Sequence, residues 1–278
     1  MLKITALPTR DIREKLQIIR KRLYLVDFFI WKFVVMKVYR SYSQIYAKNM
    51  EACRLAKKIR IDAPKHFLDI PFLLLSTLSW EGDNISMNFN FLNKEDKVKL
   101  IFKILDWLKT FNSPSQKYTR FLDFRYIELF LKKEKQLRLK RNLTSRIIKL
   151  VKQSRLEIKS CGPGIEDVVL SNFTQTKNSV RLVDFDNFGE RVNFDYEVGF
   201  LLSDIEIECG FSESEILTLW GDYTKKRLLK TDTNMFAIGR ISRYAINAIN
   251  SFDSKKVQVF DFEKNIKIID RILRSIID

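Results

Sequence analysis

Glycine and histidine are scarce in this chain of 278 residues, and each scarcity excludes a kind of site. The first glycine is Gly82, so no glycine-rich loop over a phosphate and no GxxxxGK[ST] cradle precedes it. The single histidine is His66, which excludes a multi-histidine metal site. It also excludes a Ser-His-Asp relay built on any other position. Chemistry in this chain therefore has to use other side chains.

Paired cysteines and long apolar runs are also missing. Cys53, Cys161 and Cys209 have neither the spacing of a disulfide framework nor that of a metal site. The first residues contain no apolar signal-peptide core, and the apolar run at residues 72–75 is far too short to span a bilayer. We therefore expect a reduced cytoplasmic protein, with one two-lobed domain or two small domains.

Positive charge is abundant. The chain has 50 Lys and Arg against 34 Asp and Glu, a formal net charge of +16. Eleven basic residues lie in residues 132–159, where only Glu134 and Glu157 oppose them, and the apolar residues between them indicate one or two basic amphipathic helices. Such a face can bind an anionic membrane, nucleic acid or an acidic glycan. The alternative is an ordinary solvated helix face.

An ordered set of acidic and amide residues is the strongest functional signal. Asp167 and Asn172 precede one strand-like run, Asp184 follows a second at residues 180–183, and Asp186 comes two residues later. If the two runs pair as a hairpin, the side chains of Asp167, Asn172 and Asp184 are expected to meet at one rim. The alternative is an ordinary loop and hairpin, because Asp and Asn favour turns.

Phosphoryl transfer explains these residue types. It needs one carboxylate to accept the proton of the attacking hydroxyl, and oxygen ligands for Mg²⁺ on the phosphates. Magnesium is commonly held by one or two carboxylates together with phosphate oxygens and water. We assign Asp167 as the base, Asn172 and Asp184 as metal ligands, and Asp186 as a possible auxiliary ligand.

The order Asp-x4-Asn, then Val-Asp-Phe-Asp and then Asn-Phe-Asp-Tyr, resembles the aminoglycoside phosphotransferase and choline kinase group. It is also similar to the lipopolysaccharide core kinases. The resemblance implies an α+β, two-lobed, protein-kinase-like fold with a small β-rich N-lobe at 1–79 and a larger, mostly helical C-lobe at 80–278. It implies a structural role for Asp195. Ile165 and Glu166 depart from the His and Gly that precede the catalytic Asp in the family.

The N-terminal third agrees with this resemblance. Residues 22–39 are rich in β-branched and aromatic residues and predict two adjacent strands, and residues 43–60 predict an amphipathic helix. In the family, a strand lysine on the nucleotide phosphates pairs with a glutamate on the next helix, and Lys37 and Glu51 match that pair. The alternative is an exposed strand lysine and a solvated helix glutamate.

The remaining patterns give the rest of the expected fold. Residues 66–80 predict a central strand that runs into a hinge, and the apolar spacing over 98–108 predicts a core-facing helix. After residue 121 the chain is expected to be mostly helical up to the loop that Gly162, Pro163 and Gly164 introduce. The C-terminal part is expected to be helical, with a cap-like sequence at residues 212–215.

Together these patterns predict an enzyme that uses ATP and Mg²⁺ to phosphorylate a hydroxyl of a small molecule or sugar. The positive charge favours an anionic sugar of the lipopolysaccharide core type, and a location at the inner face of the membrane. Two alternatives stay open at this point. One is an inactive kinase-like scaffold, because of Ile165, Glu166 and the glycine-free front. The other is a basic protein that binds nucleic acid or membrane through residues 132–159.

Overall fold

The computed structural model describes the backbone of most of the chain, and the chain folds into two compact units. The described residues are 3–6, 22–28, 31–38, 43–64, 66–70, 75–79, 83–113, 117–119, 124–157, 159–176, 179–185, 187–253 and 259–277. The first unit contains Met1–Phe91 and Ser171–Phe188, and the second contains Leu92–Leu170 and Gly189–Asp278. The lobe boundary after residue 79 stays a prediction.

A five-stranded antiparallel sheet dominates the first unit, with strand order β1-β2-β3-β5-β4. Its strands are β1 (Lys3–Ala6), β2 (Arg22–Phe28), β3 (Trp31–Val38), β4 (His66–Ile70) and β5 (Leu75–Ser79). The two adjacent strands predicted over 22–39 are confirmed as β2 and β3. Their β-branched and aromatic residues suit a pleated surface.

The central strand expected within residues 66–80 is present as β5, but it does not fill the segment. This segment forms two strands, and β5 lies between β3 and β4. Pro71 lies in the sequence between β4 and β5, and a proline cannot donate a hydrogen bond to a strand ladder. Pro71 therefore disfavours one continuous strand over residues 66–80.

Helix α1 (Ser43–Lys58) follows β3 and confirms the predicted amphipathic helix. Ala52, Cys53 and Ala56 are buried along one side, and Glu51 is on the exposed side. A second, three-stranded sheet has the order β10-β9-β6. It consists of β6 (Asp83–Asn84), β9 (Phe173–Gln175) and β10 (Val180–Leu182). The short helix α2 (Ile85–Asn88) and a 3₁₀ turn (Phe89–Phe91) follow β6.

The second unit is mostly helical. Its helices are α3 (Lys94–Asn112), α4 (Arg125–Lys132), α5 (Arg141–Leu156), α6 (Phe194–Cys209), α7 (Glu213–Arg227), α8 (Thr233–Asp253) and α9 (Val259–Ile277). The apolar spacing over 98–108 correctly predicted α3, whose buried side includes Leu100, Ile104 and Leu108. The cap-like sequence at 212–215 is a capping box in which Ser212 and Glu215 bond reciprocally at the start of α7.

A small sheet with the order β11-β8-β7 completes the second unit. Its strands are β7 (Lys117–Thr119), β8 (Lys159–Ile165) and β11 (Phe188–Val192). The core of this unit gathers residues from α4, α5, α6, α8 and α9, with Phe130, Ile147, Phe200, Ile241 and Ile269 almost fully buried. In the part of the chain that the structure describes, no helix has the length and apolarity needed to cross a membrane.

Candidate active site

The predicted hairpin between the two strand-like runs is confirmed, and the meeting of Asp167 with Asn172 and Asp184 stays a prediction. Strands β9 and β10 pair antiparallel, with Leu182 opposite Phe173. The backbone N–H of Val183 donates to the carbonyl oxygen of Asn172 at 2.8 Å, so the pairing extends to the residue before β9. Asn172 and Asp184 consequently lie at the same end of the hairpin, and both side chains are half-buried. Asp186 lies outside the described residues.

Two polar anchors hold this hairpin within the first unit. Arg181 is 5% exposed and donates from Nε to the Asp62 carboxylate at 2.8 Å, and Ser179 donates to the same carboxylate. Nδ2 of Asn84 donates to the carbonyl oxygen of Ser171 at 2.9 Å. A buried arginine with a carboxylate partner is costly to separate from it. The hydrogen bond from Asn84 therefore fixes Ser171, the residue directly before Asn172, at this end of the hairpin.

The donor set at this end of the hairpin fits magnesium. Asn172 offers an amide oxygen and Asp184 a carboxylate, and Mg²⁺ prefers hard oxygen ligands while it keeps several waters or phosphate oxygens. Among the described residues, no group of three or more His, Cys, Asp or Glu forms a metal cluster that the protein would fill alone. One carboxylate and one amide suit an ion that arrives with a polyphosphate.

Asp167 belongs to the second unit. It follows β8 in a turn with Glu166, and its side chain is half-buried. Nε of Arg125, the first residue of α4, lies 2.9 Å from Oε2 of Glu166. Burial lowers the pKa of Arg125, but nearby Tyr126, Glu166 and Asp167 more than offset this effect, so the net pKa is raised. The positively charged guanidinium of Arg125 thus interacts electrostatically with the adjacent carboxylates of Glu166 and Asp167.

The start of this loop is held by a buried carboxyl that the sequence analysis did not identify. The backbone N–H of Ile165 donates to Oε1 of Glu197 at 2.6 Å. Nδ2 of Asn112 donates to Oε2 of Glu197 at 3.1 Å and to the carbonyl oxygen of Val192 at 2.9 Å. Burial raises the pKa of Glu197 to about 8, against the opposing effect of these hydrogen bonds. Glu197 therefore joins the backbone of the loop to helix α6 from a fully buried position.

Gly162 and Gly164 are explained by these close approaches. A Cβ atom at Gly162 would lie 1.8 Å from the carbonyl oxygen of Asn112. A Cβ atom at Gly164 would lie 2.6 Å from Oε1 of Glu197. Both distances are far below a van der Waals contact, so only glycine fits here. The glycines that introduce the loop let the Glu197 and Asn112 anchors reach its backbone.

A second buried carboxylate anchors the other end of the loop. The backbone N–H of Leu170 donates to Oδ2 of Asp204 at 2.8 Å, and Arg243 pairs with Oδ1 of Asp204 at 2.8 Å. Asp204 is 3% exposed. Because the Arg243 guanidinium pairs with it, the negative charge of the buried Asp204 carboxylate is tolerated. Residues 165–170, which contain Asp167, are thus bonded to α6 at both ends.

The remaining site predictions are placed as follows. Asp195 is buried at the start of α6 and accepts a hydrogen bond from the backbone N–H of Asp232 at 3.1 Å. Burial raises the pKa of Asp195 to about 7. Lys37 lies in β3, opposite Leu23 of β2 and Ser76 of β5. The pairing of Lys37 with Glu51 stays a prediction.

Comparison with known proteins gives a clear result only for structure. No protein-family model and no curated sequence matches the chain. A choline/ethanolamine kinase family protein from Mesorhizobium loti matches with a TM-score of 0.64 at 13% identity, covering 98% of this chain and 88% of that one. Choline kinase LicA from Streptococcus pneumoniae matches with a TM-score of 0.62 at 14% identity, covering 98% and 93%. The GDP complex of aminoglycoside 2'-phosphotransferase-IIIa gives 0.61 at 10% identity, with the same coverage.

These likenesses extend over nearly the whole chain and define its fold. The fold is that of the choline kinase and aminoglycoside phosphotransferase group, and the resemblance read from residues 165–197 is confirmed at this level. The expected α+β class is also confirmed, with most strands in the first unit and most helices in the second. Sequence identities of 10–14% show a shared fold and nothing finer.

Proposed function

We propose that this chain is an ATP-dependent phosphotransferase that acts on a hydroxyl acceptor. One observation carries the proposal: Asn172 and Asp184 lie at one end of an anchored hairpin, and Asp167 precedes Asn172 by five residues in a loop bonded at both ends. Structures with the same fold include an AMP complex of LicA, an ADP-bound aminoglycoside phosphotransferase and a GDP complex. These neighbours support nucleotide binding.

In the proposed reaction, Asp167 accepts the proton of the acceptor hydroxyl as its oxygen attacks the γ-phosphorus of ATP. The bond from the γ-phosphorus to the bridging oxygen breaks, and ADP leaves with that oxygen. Asn172 and Asp184 would hold Mg²⁺, which offsets negative charge on the phosphates when bound. Asp186 is a further candidate ligand. Lys37, positioned by Glu51, would contact the α- and β-phosphates.

The acceptor is proposed to be an anionic sugar or a similar small molecule. Choline and aminoglycosides are cations, and a strongly basic chain with a net charge of +16 repels them at a distance. An anionic acceptor of the lipopolysaccharide core type would instead be attracted. A screen of hydroxyl acceptors that differ in charge, at fixed Mg·ATP, would test this assignment. Preference for cationic acceptors would contradict it.

Nucleotide binding can be tested by thermal unfolding with and without Mg·ATP. A ligand that binds only the folded state stabilises it by about 2.7 kcal/mol at one hundred times its Kd. We expect Mg·ATP to raise the unfolding temperature of the natural protein, and Asp184→Asn to lose most of that rise. Asp222→Asn, at an exposed position on α7, is the matched control and should keep it.

The outcomes of this experiment separate the proposal from its alternatives. No shift at millimolar Mg·ATP in the natural protein would contradict a nucleotide site. An equal shift in Asp184→Asn would contradict the metal role of Asp184 alone. A shift without phosphate transfer to any acceptor would identify an inactive kinase-like scaffold, which is the alternative that Ile165 and Glu166 suggested.

A second candidate function is supported by the exposed side of α5. Leu143, Ile147 and Leu150 are buried, and the exposed residues of α5 include the basic residues Arg141, Lys149 and Lys152. Four more exposed basic residues lie at the end of α4 and in the turns before α5. The complete exposed basic set of residues 132–156 is Lys132, Lys135, Arg138, Lys140, Arg141, Lys149 and Lys152. Ile148 is 39% exposed and Leu156 is 79% exposed on the same helix. We propose that this surface, called the α5 basic face, binds an anionic membrane.

Vesicle binding tests the α5 basic face. Each Lys or Arg near an anionic surface contributes about 1 kcal/mol. We therefore expect Lys149→Glu with Lys152→Glu to weaken binding to vesicles with anionic lipids by at least about tenfold. Lys225→Glu, at an exposed position on α7, should have a much smaller effect. Binding that ignores lipid charge, or tighter binding to RNA than to vesicles, would contradict the membrane assignment.

A further inference from the structure

The loop that holds Asp167 carries two adjacent carboxylates, and the guanidinium of Arg125 lies against the first of them. Glu166 stands where the resembling family has glycine, directly before the proposed base. Adjacent carboxylates repel each other, and the approach of a polyphosphate would add more negative charge. A loop of this composition needs a local positive charge, and Arg125 supplies it.

Arg125 lies close to both Glu166 and Tyr126, and its contact with Glu166 is an ion pair without hydrogen-bond geometry. Its Nε lies 2.9 Å from Oε2 of Glu166, and its Nη2 donates to the hydroxyl of Tyr126 at 2.6 Å. The guanidinium carbon lies 4.6 Å from the centre of the Tyr126 ring. The Glu166 side chain is 17% exposed and that of Arg125 is 37% exposed. A half-buried ion pair with an added hydrogen bond is screened less by solvent than a surface pair.

Both ends of this ion pair are attached to rigid elements. Arg125 begins α4, whose Ile127 and Phe130 are buried in the core of the second unit. Glu166 follows Ile165, whose backbone N–H is bonded to Glu197. The ion pair therefore joins helix α4 to the residue immediately before Asp167. The orientation of the Asp167 backbone depends on where Glu166 is held.

We propose that Arg125 is a positioning residue for Asp167, acting through its ion pair with Glu166. This inference depends on the proposed phosphotransfer, because positioning matters only if Asp167 acts on a substrate. A misplacement of about 1 Å can lower a rate by about 100-fold. Arg125 acts on the proposed base through the loop backbone and touches neither nucleotide nor acceptor in this role.

A double-mutant cycle tests the inference, with Mg·ATP and the preferred acceptor from the charge screen as substrates and acceptor-dependent ADP formation as the readout. Arg125→Gln and Glu166→Gln should each lower kcat by about 10- to 100-fold and leave the KM for ATP within about threefold. The double variant should be no slower than the slower single variant, because both changes remove the same ion pair. Arg125→Lys keeps the charge and should recover part of the lost rate.

Arg227→Gln is the matched control, since Arg227 pairs with Asp106 at the comparable exposure of 39% and neither residue belongs to the loop. It should leave kcat unchanged. If Arg125→Gln retains the full kcat, or if the two single effects multiply in the double variant, the positioning role is overturned and the proposed function stands. If the natural protein transfers phosphate to none of the screened acceptors, the proposed function fails and the positioning role fails with it. Arg125→Lys, which conserves charge and size, keeps the test decisive should Arg125→Gln unfold.

Discussion

Asp167→Asn is expected to lower the phosphotransfer kcat by about 10²- to 10⁴-fold, the range for loss of a general base. Asparagine has the shape of aspartate but cannot accept a proton at neutral pH. The neighbouring Arg125 would keep a polar partner, and the loop anchors at Glu197 and Asp204 would be unchanged. Initial rates of ADP formation at saturating Mg·ATP measure the effect.

Nucleotide binding distinguishes a lost base from a damaged site. The rise in unfolding temperature with Mg·ATP should be the same in Asp167→Asn as in the natural protein, because Asp167 is assigned no contact with the metal. Asp222→Asn provides the rate control. An unchanged kcat in Asp167→Asn would remove Asp167 from the reaction. Loss of the thermal shift together with the rate would show that Asp167 serves binding.

Local sequence patterns predicted the hairpin half of the candidate site well. Strand-like residues at 173–175 and 180–183 flank a short turn, and polar residues sit directly outside both strands. Pairing two strands fixes which residues are opposite, so the proximity of Asn172 and Asp184 follows from the hairpin itself. The family resemblance identified the same residues from their order along the chain.

The anchors of the loop gave no local signal. The hydrogen bond from Ile165 to Glu197 joins residues 32 apart, and that from Leu170 to Asp204 joins residues 34 apart. Glu197 and Asp204 are two of five acidic residues in α6, and nothing in the sequence of that helix shows which of them bind the loop backbone. Their role depends on how α6 packs, which is a tertiary property.

The charge pattern of residues 132–159 predicted which side chains are exposed better than it predicted what they bind. Residues 132–159 contain the end of α4, all of α5 and the first residue of β8, with most apolar positions buried or half-buried and most basic positions exposed. Lys159 is an exception, because it is buried in an ion pair with Asp232 and Glu157. A basic run predicts an amphipathic helix reliably, but each lysine has to be located before it is counted as part of a binding surface.

Helices α6 and α8 pack closely, and a substitution at their contact is expected to change the free energy of unfolding strongly. Gly199 of α6 and Gly239 of α8 let the two helix backbones approach closely. A Cβ atom on Gly239 would lie 2.1 Å from the carbonyl oxygen of Tyr196, and one on Gly199 would lie 2.0 Å from that of Phe236. The obstacles are backbone atoms, which cannot rotate away as a flexible side chain can. The helices themselves would have to move apart.

Gly239→Ala is therefore expected to lower the free energy of unfolding by about 3 kcal/mol, the upper range for overpacking in a core. Gly221→Ala is the matched control, since Gly221 also lies in a helix but has open space around its Cβ position. There the substitution should raise stability by about 0.5–1 kcal/mol, because alanine favours helix more than glycine does. Urea unfolding of both variants measures the two opposite signs. A Gly239→Ala variant as stable as the natural protein would show that α6 and α8 do not pack at this distance.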